Sequence, residues 1–237
     1  MTYKITLQDV VPLTHDTRHY VFDKPDGYRF SPGQATDLAL DADGWRDATR
    51  PFTFTTVPQA SVLGFTIKSY MDRDGVTRRI GGLKPGDSVL VGEPWGAIGD
   101  KGPGTFIAAG AGITPFIPIL QDRARRGALA GCRLIFANRT PSDSILRPLG
   151  VQMKELDTTF VGAEEVHGTA NENNAPGKTG PVNAKFRKGM IDDSVLDDAV
   201  SNWDLRFYVC GPPEMEQDVI GRLKRRGVST DQIVQEQ

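Results

Sequence analysis

Thr105–Pro118 reads TFIAAGAGITPFIP, an apolar run that meets two spaced glycines and then a threonine–proline pair. Phe106-Ile107-Ala108-Ala109 has the character of a buried strand. Gly110 and Gly112 let the backbone turn and approach a ligand closely. Thr114 and Pro115 suit the N-cap and first position of a helix running to Arg126, with Gly127 as its stop. A strand, a glycine turn and a helix start in this order leave backbone N–H groups facing an anion. A G-x-G turn also serves plain strand-to-helix connections, so its meaning depends on what surrounds it.

Beyond this turn the chain alternates strand and helix. Strands are expected at Thr105–Ala109, Arg133–Ala137, Thr159–Val161 and Arg206–Cys210. Helices are expected at Pro115–Arg126, Asp193–Asn202 and Pro213–Arg226, the last closed by Gly227. Such alternation predicts a doubly wound parallel α/β domain. Before the turn the rhythm differs. Short β-prone runs at Tyr3–Leu7, His19–Phe22, Ala35–Leu40, Phe52–Thr56, Val62–Lys68 and Ser88–Val91 are separated by turn signals such as Pro25-Asp26-Gly27 and Lys84-Pro85-Gly86-Asp87. Six such strands predict a small antiparallel β-barrel. The glycine-rich stretch 99–104 marks the boundary, giving a barrel domain over residues 1–100 and an α/β domain over residues 101–237. Residues 167–188, polar and rich in Asn and Gly, read as a surface loop.

Composition supports two ordinary globular cores. The 237 residues are 38% hydrophobic and 24% charged, with a net charge of −2, which offers no general attraction to nucleic acid or to an anionic membrane. The N-terminal MTYKITLQDVV alternates as a strand does and lacks the apolar core of a signal peptide, and no apolar run reaches membrane-spanning length. A cytoplasmic location with no membrane span is the expectation. Two distant cysteines, Cys132 and Cys210, exclude a four-cysteine zinc or iron–sulfur site within one chain. No metal site is expected.

Two more unusual segments flank the glycine turn in fixed order: Arg50-Pro51-Phe52-Thr53 upstream and Cys210-Gly211-Pro212-Pro213-Glu214-Met215 downstream. Together with the turn they match an R-x-[FY]-[ST] motif, a G-x-G-I-x-P motif and a C-G-P-P-x-M motif, and over nearly the whole length the chain resembles the ferredoxin–NADP⁺ reductase superfamily. The resemblance implies FAD in the barrel, a nicotinamide coenzyme in the α/β domain, and hydride transfer between them.

In that frame Arg50 presents a planar, permanently charged fork suited to a diphosphate. The resemblance assigns Arg50 to the flavin pyrophosphate and places the Thr53 hydroxyl near flavin N5, with Pro51 and Phe52 on the same motif. It lays the Ile67–Lys68 main chain along the flavin, packs Tyr70 on it, and gives the phosphates Gly75, Val76 and Thr77 at the start of a short helix. Pro94-Trp95-Gly96-Ala97 is similar to a segment completing the barrel, although Trp95 also suits a core position. For nicotinamide it implies Gly110, Gly112, Thr114, Pro115, Asn138, Arg139, Gly211, Pro212 and Met215. Cys210 then orients nicotinamide C4 without attacking it, whereas Cys132 reads as plain core.

The coenzyme stays open between NADH and NADPH. Arg139 would suit a 2′-phosphate and Asp143 would disfavour it. The resemblance implies a separate flavodoxin or ferredoxin as electron acceptor. The alternatives are a reductase of free flavin or a small molecule, a non-catalytic electron-transfer or nucleotide-sensing subunit, and a nucleotide-binding module without flavin. The ending Ile233–Gln237 is similar to an I-x-x-E-x-F ending without its aromatic, so an open flavin face is expected, and a Phe added after Gln237 should weaken nicotinamide binding.

Overall fold

The computed structural model describes residues 1–70, 74–96, 98–140, 143–145, 155–162 and 184–236. They fall into two compact units, one made of Met1–Asp100 with Thr114–Ile119, the other of Lys101–Ile113 with Leu120–Glu236.

The first unit contains β1 (Tyr3–Pro12), β2 (Thr17–Asp23), β3 (Ala35–Leu40), β4 (Arg50–Thr53), β5 (Val62–Lys68), the short helix α1 (Val76–Ile80) and β6 (Ser88–Val91). The strands pair antiparallel in the order β4-β3-β6-β1-β2-β5. A bridge between Phe54 and Phe65 and a Thr55 N–H to Gly64 carbonyl bond of 2.8 Å join the two ends. The result is a six-stranded antiparallel barrel. Its interior follows the period of two: Leu63, Phe65 and Ile67 of β5 and Tyr20 and Phe22 of β2 are buried, and Phe54 stacks on Phe30 at 4.2 Å.

The second unit contains β7 (Gly104–Ala109), α2 (Phe116–Arg125, shared with the first unit), β8 (Arg133–Asn138), β9 (Asp157–Gly162), β10 (Ala184–Lys188), α3 (Asp193–Ala199), β11 (Arg206–Cys210), α4 (Pro213–Arg225) and β12 (Ile233–Val234). All six strands are parallel, in the order β10-β9-β8-β7-β11-β12. The chain moves outward from β7 through β8, β9 and β10, then returns to pair β11 with the other side of β7. This is the doubly wound order, with its topological switch between β7 and β11. One face packs Ile107, Ile135, Val161 and Val209 with Val195 and Leu196 of α3 and Val219 and Leu223 of α4. On β7 and β11 the alternate residues Phe106 and Tyr208 stack at 4.1 Å, and the Tyr208 hydroxyl donates to Gly102 O (2.7 Å) and accepts from Lys101 N–H (2.8 Å). Arg222 of α4 and Arg226, which caps that helix, both engage Asp193 at the start of α3.

Several elements differ from the sequence reading. β1 runs past Leu7 to Pro12 because an irregularity between Leu7 and Asp9 absorbs the polar Gln8-Asp9 step, after which Val10 and Val11 pair with β2. The glycine turn passes through a 3₁₀ turn, Gly110–Ile113, so Thr114 and Pro115 lie in a turn and the α-helix starts at Phe116. α3 stops at Ala199 because Val200 turns extended, with φ −82° and ψ 117°. Ala184–Lys188, expected as part of a loop, is a sheet strand in which the exposed Phe186 stacks on Phe160 at 5.2 Å. The rest of the expected loop, residues 167–183, lies outside the described residues, as do Ala97 and Gln237. Trp95 is 39% exposed and bridges Ala35, so it is not a core residue. Among the described residues no helix is long and apolar enough to cross a membrane.

Candidate functional site

In the first unit the Arg50–Thr53 motif forms β4, held against β3 with Thr36 opposite Phe52 and Asp37 opposite Pro51. Alternation turns Phe52 toward the barrel core, which it packs against, and Thr53 to the other side. Arg50, at the start of the strand, is exposed; its guanidinium donates only to the adjacent Thr49 carbonyl (2.7 Å) and makes no ion pair among the described residues. The half-buried Thr53 hydroxyl also has no hydrogen-bond partner among them. On β5, which meets the continuation of β4 at Phe54, Ile67 is buried. Lys68 carries an ion pair of 2.8 Å to Asp16, and Tyr70 is 49% exposed. Burial alone would raise the Asp16 carboxyl, yet hydrogen bonds from Lys68, Thr17 and Thr14 hold it below the ordinary carboxylate range. Ser69 between them is buried and its Oγ has no hydrogen-bond partner among the described residues. Gly75, Val76 and Thr77 open α1, where Gly75 is extended (φ −179°). An unspent guanidinium charge, an unspent threonine hydroxyl, an exposed aromatic and an orphaned buried hydroxyl on neighbouring segments fit a flavin dinucleotide.

In the second unit the carboxyl ends of β7 and β11 lie side by side, with Ala108 opposite Cys210. Gly110 takes φ +53°, and a β-carbon there would meet nothing within 4 Å. Gly112 plays a different part from the one its spacing suggests. A β-carbon on it would lie 2.3 Å from Cys210 O, 2.5 Å from Cys210 C and 2.7 Å from Gly211 Cα. What Gly112 admits closely is therefore the Cys210-Gly211 backbone, and the two glycine segments form one junction at the topological switch. Gly211 in turn lies against the end of the Met215 side chain, and Pro212 precedes α4 as its N-cap. Asn138 and Arg139 follow at the carboxyl end of neighbouring β8, where Thr140 N–H and Oγ1 both donate to Asp143 (3.0 and 2.9 Å). The sheet thus gathers Gly110, Gly112, Cys210, Gly211 and Asn138 at the edge where doubly wound sheets hold ligands.

Burial pushes the Cys210 thiol up to about 12, and the carboxylates of Glu236 and Glu216 add to the shift. It is a protonated, weakly reactive thiol, which suits shape and polarity rather than nucleophilic attack. An unfolded cysteine titrates near 8.5, so the unfolded chain releases its proton first and stability falls as pH rises above about 9. In a Cys132→Ser background, folded protein should show no ultraviolet thiolate band at about pH 9 and should react slowly with iodoacetamide; a band at that pH would refute the shielding. Cys132 is buried, as its plain setting suggests.

Some contributors were not legible in the motifs. Glu216 accepts a 2.8 Å hydrogen bond from Gly211 N–H and so fixes the turn after Cys210; its signal is an acidic residue in the first turn of α4. Arg79 lies 4.1 Å over the ring of Trp45, and His19 meets the hydroxyls of Thr66 on β5 and Thr55 after β4. Such pairs join residues distant in sequence and carry no local pattern.

Similarity to known proteins extends over most of the chain. Residues 106–220 match the model of the oxidoreductase NAD-binding domain. NADH-cytochrome b5 reductase 2 of Mycosarcoma maydis is 26% identical over 240 residues, covering 94% of the chain and 65% of that protein. The reductase component of propane 2-monooxygenase from Mycolicibacterium goodii is 26% identical over 219 residues, covering 89% of the chain and 59% of that protein. The chain therefore spans about three-fifths of the length of these relatives. A ferredoxin NADP⁺ reductase from Neisseria gonorrhoeae, solved with bound FAD and NADP, superposes with a TM-score of 0.78 at 19% identity over 99% of the chain and 97% of its own. The cytochrome b5 reductase domain of Ulva prolifera nitrate reductase gives 0.78 at 19% identity with the same coverage. At these identities the two structures establish the fold.

Proposed function

We propose that this chain, similar over most of its length to the ferredoxin–NADP⁺ reductase superfamily, is an NAD(P)H-dependent flavoprotein reductase that holds FAD on the barrel unit and the nicotinamide coenzyme on the parallel-sheet unit. The observation that carries this reading is the pairing of an unspent Arg50–Thr53 motif on β4 with the Gly112–Gly211 junction at the switch of the second sheet. When bound, a flavin takes up hydride from reduced nicotinamide and can pass electrons on singly or in pairs.

The protein's residues bind and orient. Arg50 neutralises the cofactor's diphosphate, with the Gly75–Thr77 backbone as a further contact. The Thr53 hydroxyl, without a hydrogen-bond partner among the described residues, stands as donor or acceptor toward the flavin N5 edge, and Tyr70 covers flavin surface. Gly110, Gly112 and the turn through Thr114 and Pro115 receive the coenzyme diphosphate, Asn138 and Arg139 its adenosine end, and Cys210 with Gly211, Pro212 and Met215 the nicotinamide. The acceptor is a separate redox protein, a flavodoxin or ferredoxin, in keeping with relatives named as reductase components of oxygenase systems.

Purified protein should be yellow or should take up added FAD. Anaerobic NADH or NADPH should bleach its visible bands, and the reduced protein should then reduce flavodoxin or ferredoxin in preference to free flavin. A colourless protein that takes up no FAD refutes the reading, and preferential reduction of free flavin replaces only the acceptor.

A further inference from the structure

Most neighbouring strands of the barrel share ladders of several residue pairs; β2 and β5 share seven. The seam between the continuation of β4 and β5 is thin. Among the described residues its backbone pairing is the Phe54–Phe65 bridge and the Thr55 N–H to Gly64 carbonyl bond of 2.8 Å, to which Thr56 Oγ1 adds a 3.1 Å bond from Gly64 N–H and a 3.5 Å bond to the Val62 carbonyl. It lies directly after Arg50–Thr53, so the strand bearing the flavin motif is anchored to β5 by very little ladder.

Side chains supply a second tie. His19 of β2 stands opposite Thr66 of β5, and its Nδ1 lies 3.1 Å from Thr66 Oγ1 and 3.4 Å from Thr55 Oγ1. Thr66 Oγ1 donates to Thr55 Oγ1 at 3.2 Å, and both threonines are at least nine-tenths buried. Gly64 makes room for the ring: a β-carbon there would lie 2.8 Å from His19 Cε1 and 2.5 Å from Thr56 Cγ2. One imidazole thus joins three strands at the point where the ladder is weakest.

The surroundings favour the uncharged ring. β4 and β5 offer it only hydroxyls. Lys68 on β5 is spent on Asp16, and Arg18 on β2 donates to the Gly81 carbonyl. Asp9 of β1 is the charged group that acts on the ring and raises its affinity for a proton, but burial outweighs it and pushes the His19 pKa below the usual histidine value.

We propose that His19 is a positioning residue for flavin: with its proton on Nε2, the uncharged ring accepts the Thr55 hydroxyl proton at Nδ1 and so ties Thr55, and through it the Arg50–Thr53 strand, to β2 and β5, and protonation of Nδ1 removes the acceptor, loosens this tie and weakens FAD retention. The proposal rests on the flavin reading above. A group held uncharged by the fold contributes at pH above its ordinary value near 6.5, and the contribution is lost as pH falls through its lower folded value. FAD affinity should therefore fall on mild acidification while the barrel remains folded.

The test is an FAD titration of the full chain, read by bound-flavin absorbance and by the fluorescence of released FAD, at about pH 7.5 and about pH 5.5, with circular dichroism at each pH. The wild type should bind FAD about threefold more weakly at the lower pH, since one pKa unit of coupling is realised only in part at a pH between the two values. His19→Gln keeps a hydrogen-bonding group and cannot charge, so its affinity should be flat with pH. Thr55→Val, which keeps the shape and removes the hydroxyl, should bind about threefold to tenfold more weakly already at the higher pH and serves should His19→Gln not fold. The same pH dependence in His19→Gln, an unweakened Thr55→Val, or a wild type that holds FAD equally at both pH values overturns the role of His19 alone. A wild type that takes up no FAD at either pH overturns the flavin reading, and this role with it.

Discussion

Gly112→Val should leave a protein that still takes up FAD but is no longer reduced by NADH or NADPH. The nearest neighbours of a β-carbon at this position are Cys210 O at 2.3 Å and Cys210 C at 2.5 Å, which are backbone atoms of a sheet strand and cannot swing aside as a side-chain end would. To accept the substitution, the turn after β7 must part from the Cys210–Gly211 segment, and the junction proposed to receive the coenzyme opens. The cost is about 3 kcal/mol, the upper part of the range for overpacking a close contact. The barrel's sheet contains neither segment, so flavin uptake should survive. Anaerobic titration checks both halves at once: visible bands that bleach at wild-type rate would show that the junction is not the coenzyme site. Gly211→Ala is the milder companion, because its close neighbour at 2.3 Å is the mobile end of Met215.

Arg50→Ala should weaken FAD binding by about 100-fold. The guanidinium has no acidic partner among the described residues and spends one bond on its neighbour's carbonyl, so its charge is available to a diphosphate. Two charge-assisted hydrogen bonds at about 1.5 kcal/mol each give that factor. Arg50→Lys should recover only part of it, since an ammonium keeps the charge but not the planar fork. Because Arg50 is exposed and outside the core, the thermal stability of the flavin-free protein should barely change. FAD affinity measured by fluorescence quenching decides the matter; unaltered binding in Arg50→Ala would remove the phosphate role.

Much of the architecture was legible because it rests on local patterns. Alternation in Val62–Lys68, the Lys84–Asp87 turn and the strand–glycine–helix rhythm after Thr105 each report a period or a backbone requirement that a single segment carries. The elements misjudged are those set by distant partners. Ala184–Lys188 is polar and short and becomes a strand because β9 offers it a parallel edge, Ala184 beside Thr158 through Lys188 beside Gly162. β12 has two residues and exists through its pairing with Phe207 and Tyr208. The same divide runs through the candidate site. The motif residues Arg50, Thr53, Gly110 and Cys210 could be picked out by eye, whereas the reason for Gly112 is a backbone almost a hundred positions away, and the reason for His19 is a pair of threonines on two other strands.

The position of β7 in the middle of its sheet has a consequence for how the molecule is made. Its partner β11 comes late in the chain, and the Tyr208 hydroxyl closes on Lys101 across 107 positions of sequence. During synthesis β7, β8 and β9 can pair as they emerge, but the Gly112–Cys210 junction has no second half until nearly the whole second unit has been made. Contacts of such long range form slowly, after much chain entropy has been lost. If the junction receives the coenzyme as proposed, nucleotide is a ligand of the finished second unit alone, and a cell rich in it would draw newly made molecules toward completion by mass action.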